Sequence, residues 1–374
     1  MCASLSAASF IFISHVHREA TGPAQLNNAI VAFAFSPSGN YLAAIADNKQ
    51  LILFHTRPWR CLSVRTAARR CTSLAIPQAE DRVLLADKSG DIYSFSIHQP
   101  QEAGHLQLGH LSMLLAVAVS PDDRYLVTSD RDEKIRVSFL EKPHVIEAFC
   151  LGHSEFVSEL FIPPNHPQLL VSGSGDGTLR LWDFTRGKEL HCCDLRSLEP
   201  WCRGSEERQV AVVRITHSLQ GDYLAVLCDN FSAVHLVRLD VDSQQLVHEE
   251  TLVLEPKVWD VSFDESARLW VLHRDQEQPV TLYTARGARW QKITEDTDLE
   301  RLSDTVRTHW ELFQGRVNAV SCCTNLYKVT LDNVAKYKQR KEQRLKERGN
   351  GLAPEEDKRR RVEGVREAVG DSSS

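Results

Sequence analysis

The residues best suited to chemistry in this 374-residue chain are crowded between positions 153 and 183. The run Gly173-Ser174-Gly175-Asp176-Gly177 has the composition of a loop that cradles phosphate. Such a loop needs a helix directly behind it, whose first amides and dipole hold the anion. Here Thr178-Leu179-Arg180-Leu181-Trp182-Asp183 follows, which reads as a strand, so the glycines read as a turn. No other strand–glycine loop–helix unit offers a nucleotide-cofactor site. Ser172, His153 and Asp176 hold the groups of a hydrolase triad. A nucleophile of that kind sits on a strand-to-helix elbow, and none accompanies Ser172. His15 and His17 share one face at the period of a strand, with no third ligand in view, so no metal site is expected. No pair of carboxylates stands at catalytic spacing. The chain is expected to have no active site and no cofactor of its own.

What positions these residues is a repeat. Leu108-Gly109-His110 recurs 43 residues later as Leu151-Gly152-His153. The segment from Asp130 to Val137 lies 44 residues before Ser174–Leu181, and two upstream steps reach Ala86–Tyr93 and Ala46–Ile52. A period of about 41–44 residues is that of a four-stranded propeller blade. Each unit runs strand, turn, strand, charged or glycine-rich turn, strand. Ala116–Val119, Ser120–Asp123 and Tyr125–Val127 give one copy, and Ala32–Phe35, Ser36–Gly39 and Tyr41–Ala43 an earlier one. Short strands between turn signals, without long helical periodicity, predict an all-β fold. Weaker copies begin at Val213 and Val258, which makes six blades. Phe10–Ile13 and Asn325–Leu331 are expected to pair into a seventh, because a ring closed by both ends leaves no open sheet edge. The expected fold is a seven-bladed WD-repeat β-propeller over residues 1–331. In such repeats the histidine, serine, aspartate and tryptophan of one blade form a buried hydrogen-bond chain. His153, Ser172, Asp176 and Trp182 are therefore expected to be a structural tetrad rather than a triad.

Composition narrows the class further. No apolar run is long enough to span a membrane. The patch Phe10–Ile13 has no positive charge before it and no small-residue cleavage site after it, which argues against a secretory signal. The ten cysteines include no C-x-x-C pair, so zinc and disulfide roles are not expected. Net charge is −6, yet residues 335–366 carry 12 Lys/Arg against 6 Asp/Glu, a basic arm on an acidic body. Residues 332–349 are polar all round and predict a solvated or partner-seeking helix stopped by Gly349-Asn350-Gly351. Its Lys336, Lys338, Arg340, Lys341 and Arg344 are candidates for phosphate contacts with RNA, salt-sensitive and sequence-independent. Residues 350–374 are expected to be a disordered tail, in which Lys358, Arg359, Arg360 and Arg361 read as a nuclear import signal. The acidic body argues against direct nucleic-acid or chromatin binding by the ring itself.

Several segments are more specific than the repeat grammar: LILFHTRPWRCLSVRT (51–66), LGHLSMLLAVAVSPDDRYLVTSDRDEKIRVS (108–138), LGHSEFVS (151–158), GDGTLRLW (175–182), VWDVSF (258–263) and LYKVTLDNV (326–334). Through them the chain resembles the WD-repeat non-catalytic subunits of eukaryotic tRNA (guanine-N7) methyltransferases, over about residues 30–335. The resemblance implies a propeller bound to a separate catalytic subunit, which carries S-adenosylmethionine and methylates a guanine in the tRNA variable region. It implies a scaffold that stabilises that enzyme and helps to place tRNA, in the nucleus and possibly the cytoplasm. On this basis Asp130, Arg131, Lys134, Glu155, Phe156 and Glu159 are expected to contact the catalytic subunit. The family has a strand or more before the position of Phe10, so the first blade is expected to be incomplete. Members also tend to carry a basic residue where Glu159 stands, so that contact is expected to be rearranged. A substrate receptor of a cullin-type ubiquitin ligase is the alternative. Such propellers end a blade in W-D-x-R, and Trp182-Asp183-Phe184-Thr185-Arg186 places the arginine one residue late.

Overall fold

A computed structural model describes residues 30–198, 209–229, 231–287, 289–313 and 323–328, together with 337, 338 and 340–342. Twenty-four strands form six four-stranded antiparallel sheets, each a meander in which sequence neighbours pair. The blades span residues 30–66, 71–109, 114–150, 157–194, 212–253 and 258–293. The unit that contains them runs to Tyr327, and a second unit begins at Lys328.

The position of each strand in its blade follows from its side chains. First strands such as Leu114–Val119 and Val157–Phe161 pack against one another in blade order and line a central channel. Second strands are apolar on both faces because a blade lies on either side; every residue of Tyr125–Asp130 and Leu169–Ser174 is buried. Fourth strands are the exposed edges, and their composition turns polar, as in Lys188–Asp194 and Arg289–Ile293. The apolar cores therefore sit between blades. Leu84, Ile92 and Leu108 of blade two meet Leu114, Leu126 and Leu140 of blade three. Val127, Ile135 and Val137 of blade three meet Leu160, Leu170, Trp182 and Phe184 of blade four. Opposite the channel loops, side chains lace neighbouring blades: the Asp123 carboxylate accepts from the Gln78 and Ala79 amides at 2.8 and 2.7 Å. Asp222 likewise accepts from Asn165 at 3.2 Å and pairs with His166 at 3.2 Å.

Two expectations are corrected here. Helix was expected only beyond Leu331, yet Thr297–Thr308 forms an α-helix, α1. Asp296 caps it by accepting from the Asp298 and Leu299 amides, and Arg268 fixes that carboxylate at 2.7 Å. Its apolar stripe, Leu299 and Val306, covers the outer face of blade six at Trp270, Leu272 and Leu282. The expected final strand Asn325–Leu331 does not start as a strand. Residues 323–327 turn back on themselves, with the Leu326 amide donating to the Cys323 carbonyl at 2.8 Å. Phe10–Ile13 and the remainder of that final strand lie outside the described residues, as do His15 and His17.

Candidate functional site

His153, Ser172, Asp176 and Trp182 meet between blade four and the loop that enters it. The loop sets His153, the second strand sets Ser172, the following turn sets Asp176, and the third strand sets Trp182. The His153 Nδ1–H donates to Asp176 at 2.9 Å, and Nε2 lies 2.7 Å from the Ser172 Oγ. The Trp182 indole N–H closes the chain on the same Ser172 oxygen at 2.8 Å. Ser172 has 0% of its surface exposed, so no substrate carbonyl reaches its hydroxyl. Burial alone pushes the Asp176 carboxyl up, but bonds from His153, the Thr178 hydroxyl and the Ser154 amide hold it far below the ordinary carboxylate range.

The glycine-rich turn is closed to anions for a related reason. Its amides are consumed internally: Gly175 donates to the Phe156 carbonyl at 2.9 Å, Asp176 to the Ser174 hydroxyl and Thr178 to the Asp176 carboxylate. Gly175 is glycine because the Phe156 ring lies where a Cβ would stand.

A second, shorter chain was not anticipated. In blade three His110 Nδ1 meets Asp130 at 3.1 Å and Nε2 meets the Thr128 hydroxyl at 2.8 Å, with no tryptophan to complete it. The signal was present in the repeated Leu-Gly-His, since Thr128 stands where Ser172 does. Asp130 is therefore corrected: it is 2% exposed and its carboxylate is consumed by His110 and the Asp132 and Lys134 amides.

Phe156 is corrected on the same ground. It is 0% exposed and packs edge-on to Tyr327, with ring centres 5.0 Å apart. The 323–327 turn rests there, and the Arg131 guanidinium clamps it by donating to the Leu326 carbonyl at 2.9 Å. Lys134 is exposed beside it, and Glu155 is partly exposed on the same loop as Phe156. Glu159 is not on the rim. It stands in the channel wall, where Arg214 and Asp260 on the first strands of blades five and six form an ion pair of 3.1 Å. The channel encloses about 1240 Å³.

One guanidinium between two carboxylates leaves Glu159 poorly compensated. Burial pushes its carboxyl up to about 7, with Arg214 opposing and Asp260 reinforcing the rise. Because the folded state prefers the protonated acid, stability is greatest below the unfolded value near 4.5 and falls as pH rises towards 7. Glu159→Gln removes that loss. We expect its thermal midpoint to exceed wild type by about 2–4 °C at pH 8 and to match it at pH 4.5, in paired melts across that range. A pH-independent difference would refute the assignment.

Of the basic arm, Lys338, Arg340 and Lys341 are helical and exposed, whereas Lys336, Arg344 and Lys358–Arg361 lie outside the described residues. Among the described residues no His, Cys, Asp and Glu side chains group to hold a metal ion, and no helix is long and apolar enough to cross a membrane.

Residues 14–107 and 98–294 match the family described as the tRNA methyltransferase TRM82 WD40 domain. The chain is 50% identical over 313 residues to the tRNA (guanine-N(7)-)-methyltransferase non-catalytic subunit WDR4 of Homo sapiens, covering 84% of this chain and 76% of that protein. The Danio rerio protein of the same description is 48% identical over 322 residues, or 85% and 78% of the two chains. The non-catalytic subunit wuho of Culex quinquefasciatus is 31% identical over 333 residues, or 87% and 78%. The ubiquitin-ligase alternative gains no support from these relatives, and Arg186 is engaged within its own turn, 3.4 Å from Asp183.

Proposed function

This chain belongs to the family of WD-repeat non-catalytic subunits of tRNA (guanine-N7) methyltransferases, and from that premise we propose that it holds a separate catalytic subunit in its productive shape and helps to place tRNA for methylation. The observation that carries this reading is the closed tetrad. The one constellation resembling catalytic machinery is sealed by Trp182 and has no route to substrate. What the blades present instead is a rigid set of loops and outer strands, which is what a binding scaffold requires.

In this reading S-adenosylmethionine belongs to the catalytic subunit, and the complex works in the nucleus, directed there by Lys358–Arg361. Arg131, Lys134 and Glu155 are the charged groups of the assigned set that reach the face shared by blades three and four. The exposed Lys338, Arg340 and Lys341 supply phosphate contacts to tRNA, outside the acidic ring. Glu159, in the channel, acts on the partner face indirectly if at all, by setting the charge balance of blades four to six.

Reconstitution tests the proposal. The catalytic subunit alone and with an equal amount of this chain is given tRNA and labelled methyl donor. We expect the chain to raise the initial rate at least tenfold and to transfer no methyl group by itself. An unchanged rate, or transfer by the purified chain alone, would falsify the proposal.

A further inference from the structure

We propose that an apolar strip at the rim of blade three, made by Leu111, Ile146, Phe149 and Leu151, is the centre of the surface that receives the methyltransferase catalytic subunit. This inference rests on the functional reading above and gives it a location.

Large apolar side chains left in water are concentrated here. Val145, Ile146 and Phe149 stand on the fourth strand of blade three, and Leu111 and Leu151 on the loops flanking that blade. Leu111 is fully exposed in an ordered loop, and Leu151 is 63% exposed. Single exposed leucines are common on any protein surface, whereas a cluster marks an interaction site. The cluster is contiguous. Phe149 pairs across the sheet with Arg136, and Ile146 pairs with Ser138, so both lie on the face that Arg136 and Ser138 occupy. Arg136 donates to Ser138 at 2.9 Å and to the Gly109 carbonyl at 3.2 Å, tying the 109–111 loop to the strip. Leu151 extends it toward the Arg180–Glu189 pair beside Gly152.

Other outer strands are blunted by charge. Lys188–Asp194 carries Lys188 and Glu189, Gln245–Val253 carries Glu249 and Glu250, and Arg289–Ile293 carries Arg289 and Lys292. That is the usual defence of an exposed sheet edge. Blade three lacks it where the strip lies.

The occupant follows from the surroundings. A second copy adding its own strand edge-to-edge is opposed by two register shifts in this strand and by Pro143, which has no amide to donate. Recognition must therefore come through side chains. His110, next to Leu111, is bonded to Asp130, whose loop carries Arg131 and Lys134. The strip thus runs directly into the charged loops assigned to the catalytic subunit, and an apolar centre bordered by charge is the anatomy of a subunit interface.

Leu111→Asp with Phe149→Asp tests it, with Val253→Asp on blade five as a surface control. Binding of the isolated catalytic subunit is measured by titration calorimetry, with melting curves and gel-filtration mass for each protein. We expect the double variant to bind at least 30-fold more weakly while its melting midpoint stays within about 2 °C of wild type, and the control to bind as wild type. Undiminished binding by the folded double variant overturns the location and leaves the function standing. So does a wild-type dimer that the double substitution dissolves without weakening the catalytic subunit's affinity. Should the double variant misfold, Phe149→Ser alone replaces it under the same criteria. Absence of binding by wild type would remove the functional reading and this inference together.

Discussion

Trp182→Ala is expected to cost the ring about 4 kcal/mol, the largest single-residue loss on the blade three to blade four boundary. The indole is fully buried among Val137, Cys150, Leu160, Leu170 and Phe184, drawn from both blades, so truncation opens a void that neither blade can fill alone. It also removes the donor that closes the chain on Ser172. Trp182→Phe separates the two contributions. Most of the apolar volume stays, the N–H is lost, and Ser172 keeps His153 as its partner, so about 1 kcal/mol is expected. Urea unfolding followed by far-ultraviolet circular dichroism gives both numbers. If Ala and Phe cost the same, cavity formation is not what Trp182 prevents, and the account of the blade boundary fails.

The tetrad was legible because all four members are placed by one blade's own grammar, within a single repeat and the loop that enters it. The six blades were legible for the same reason: alternation, turn chemistry and period agree at each copy. What was not legible depends on partners far away in the chain. Helix α1 carries Leu299, Leu302 and Val306 at helical spacing behind the capping Asp296, but its reason to form is the face of blade six. Asp130 was assigned to the partner because a charged turn residue usually faces water. Only the fold brings the His110 loop above it. Glu159 depends on Arg214 and Asp260, contributed by the first strands of the next two blades, and no local pattern links the three. Phe156 resembled an interface anchor in sequence and is a core residue in space, because the 323–327 turn covers it.

Asp176→Ala is the second large effect, and its pH dependence runs opposite to that of Glu159→Gln. At pH 7 the substitution strands the His153 Nδ1–H, the Thr178 hydroxyl and the Ser154 and Thr178 amides in a buried site. Leaving such groups unpaired is expected to cost about 3 kcal/mol. The Asp176 carboxyl is held below its ordinary value of 3.8, so the unfolded chain takes up a proton there more readily than the folded ring. The part of its contribution that depends on charge is therefore present in full above about pH 5, and it drains away as pH falls below about 4. Alanine cannot titrate, so the gap between wild type and variant should narrow from pH 7 to pH 3.5 when both are unfolded by urea at each pH. A gap that stays constant would mean that shape, rather than charge, is what His153 and its neighbours require of position 176. The two carboxylates then form a matched pair of probes: Asp176 stabilises the ring once ionised, because donors converge on it, while Glu159 burdens the ring once ionised, because Asp260 shares its only cation.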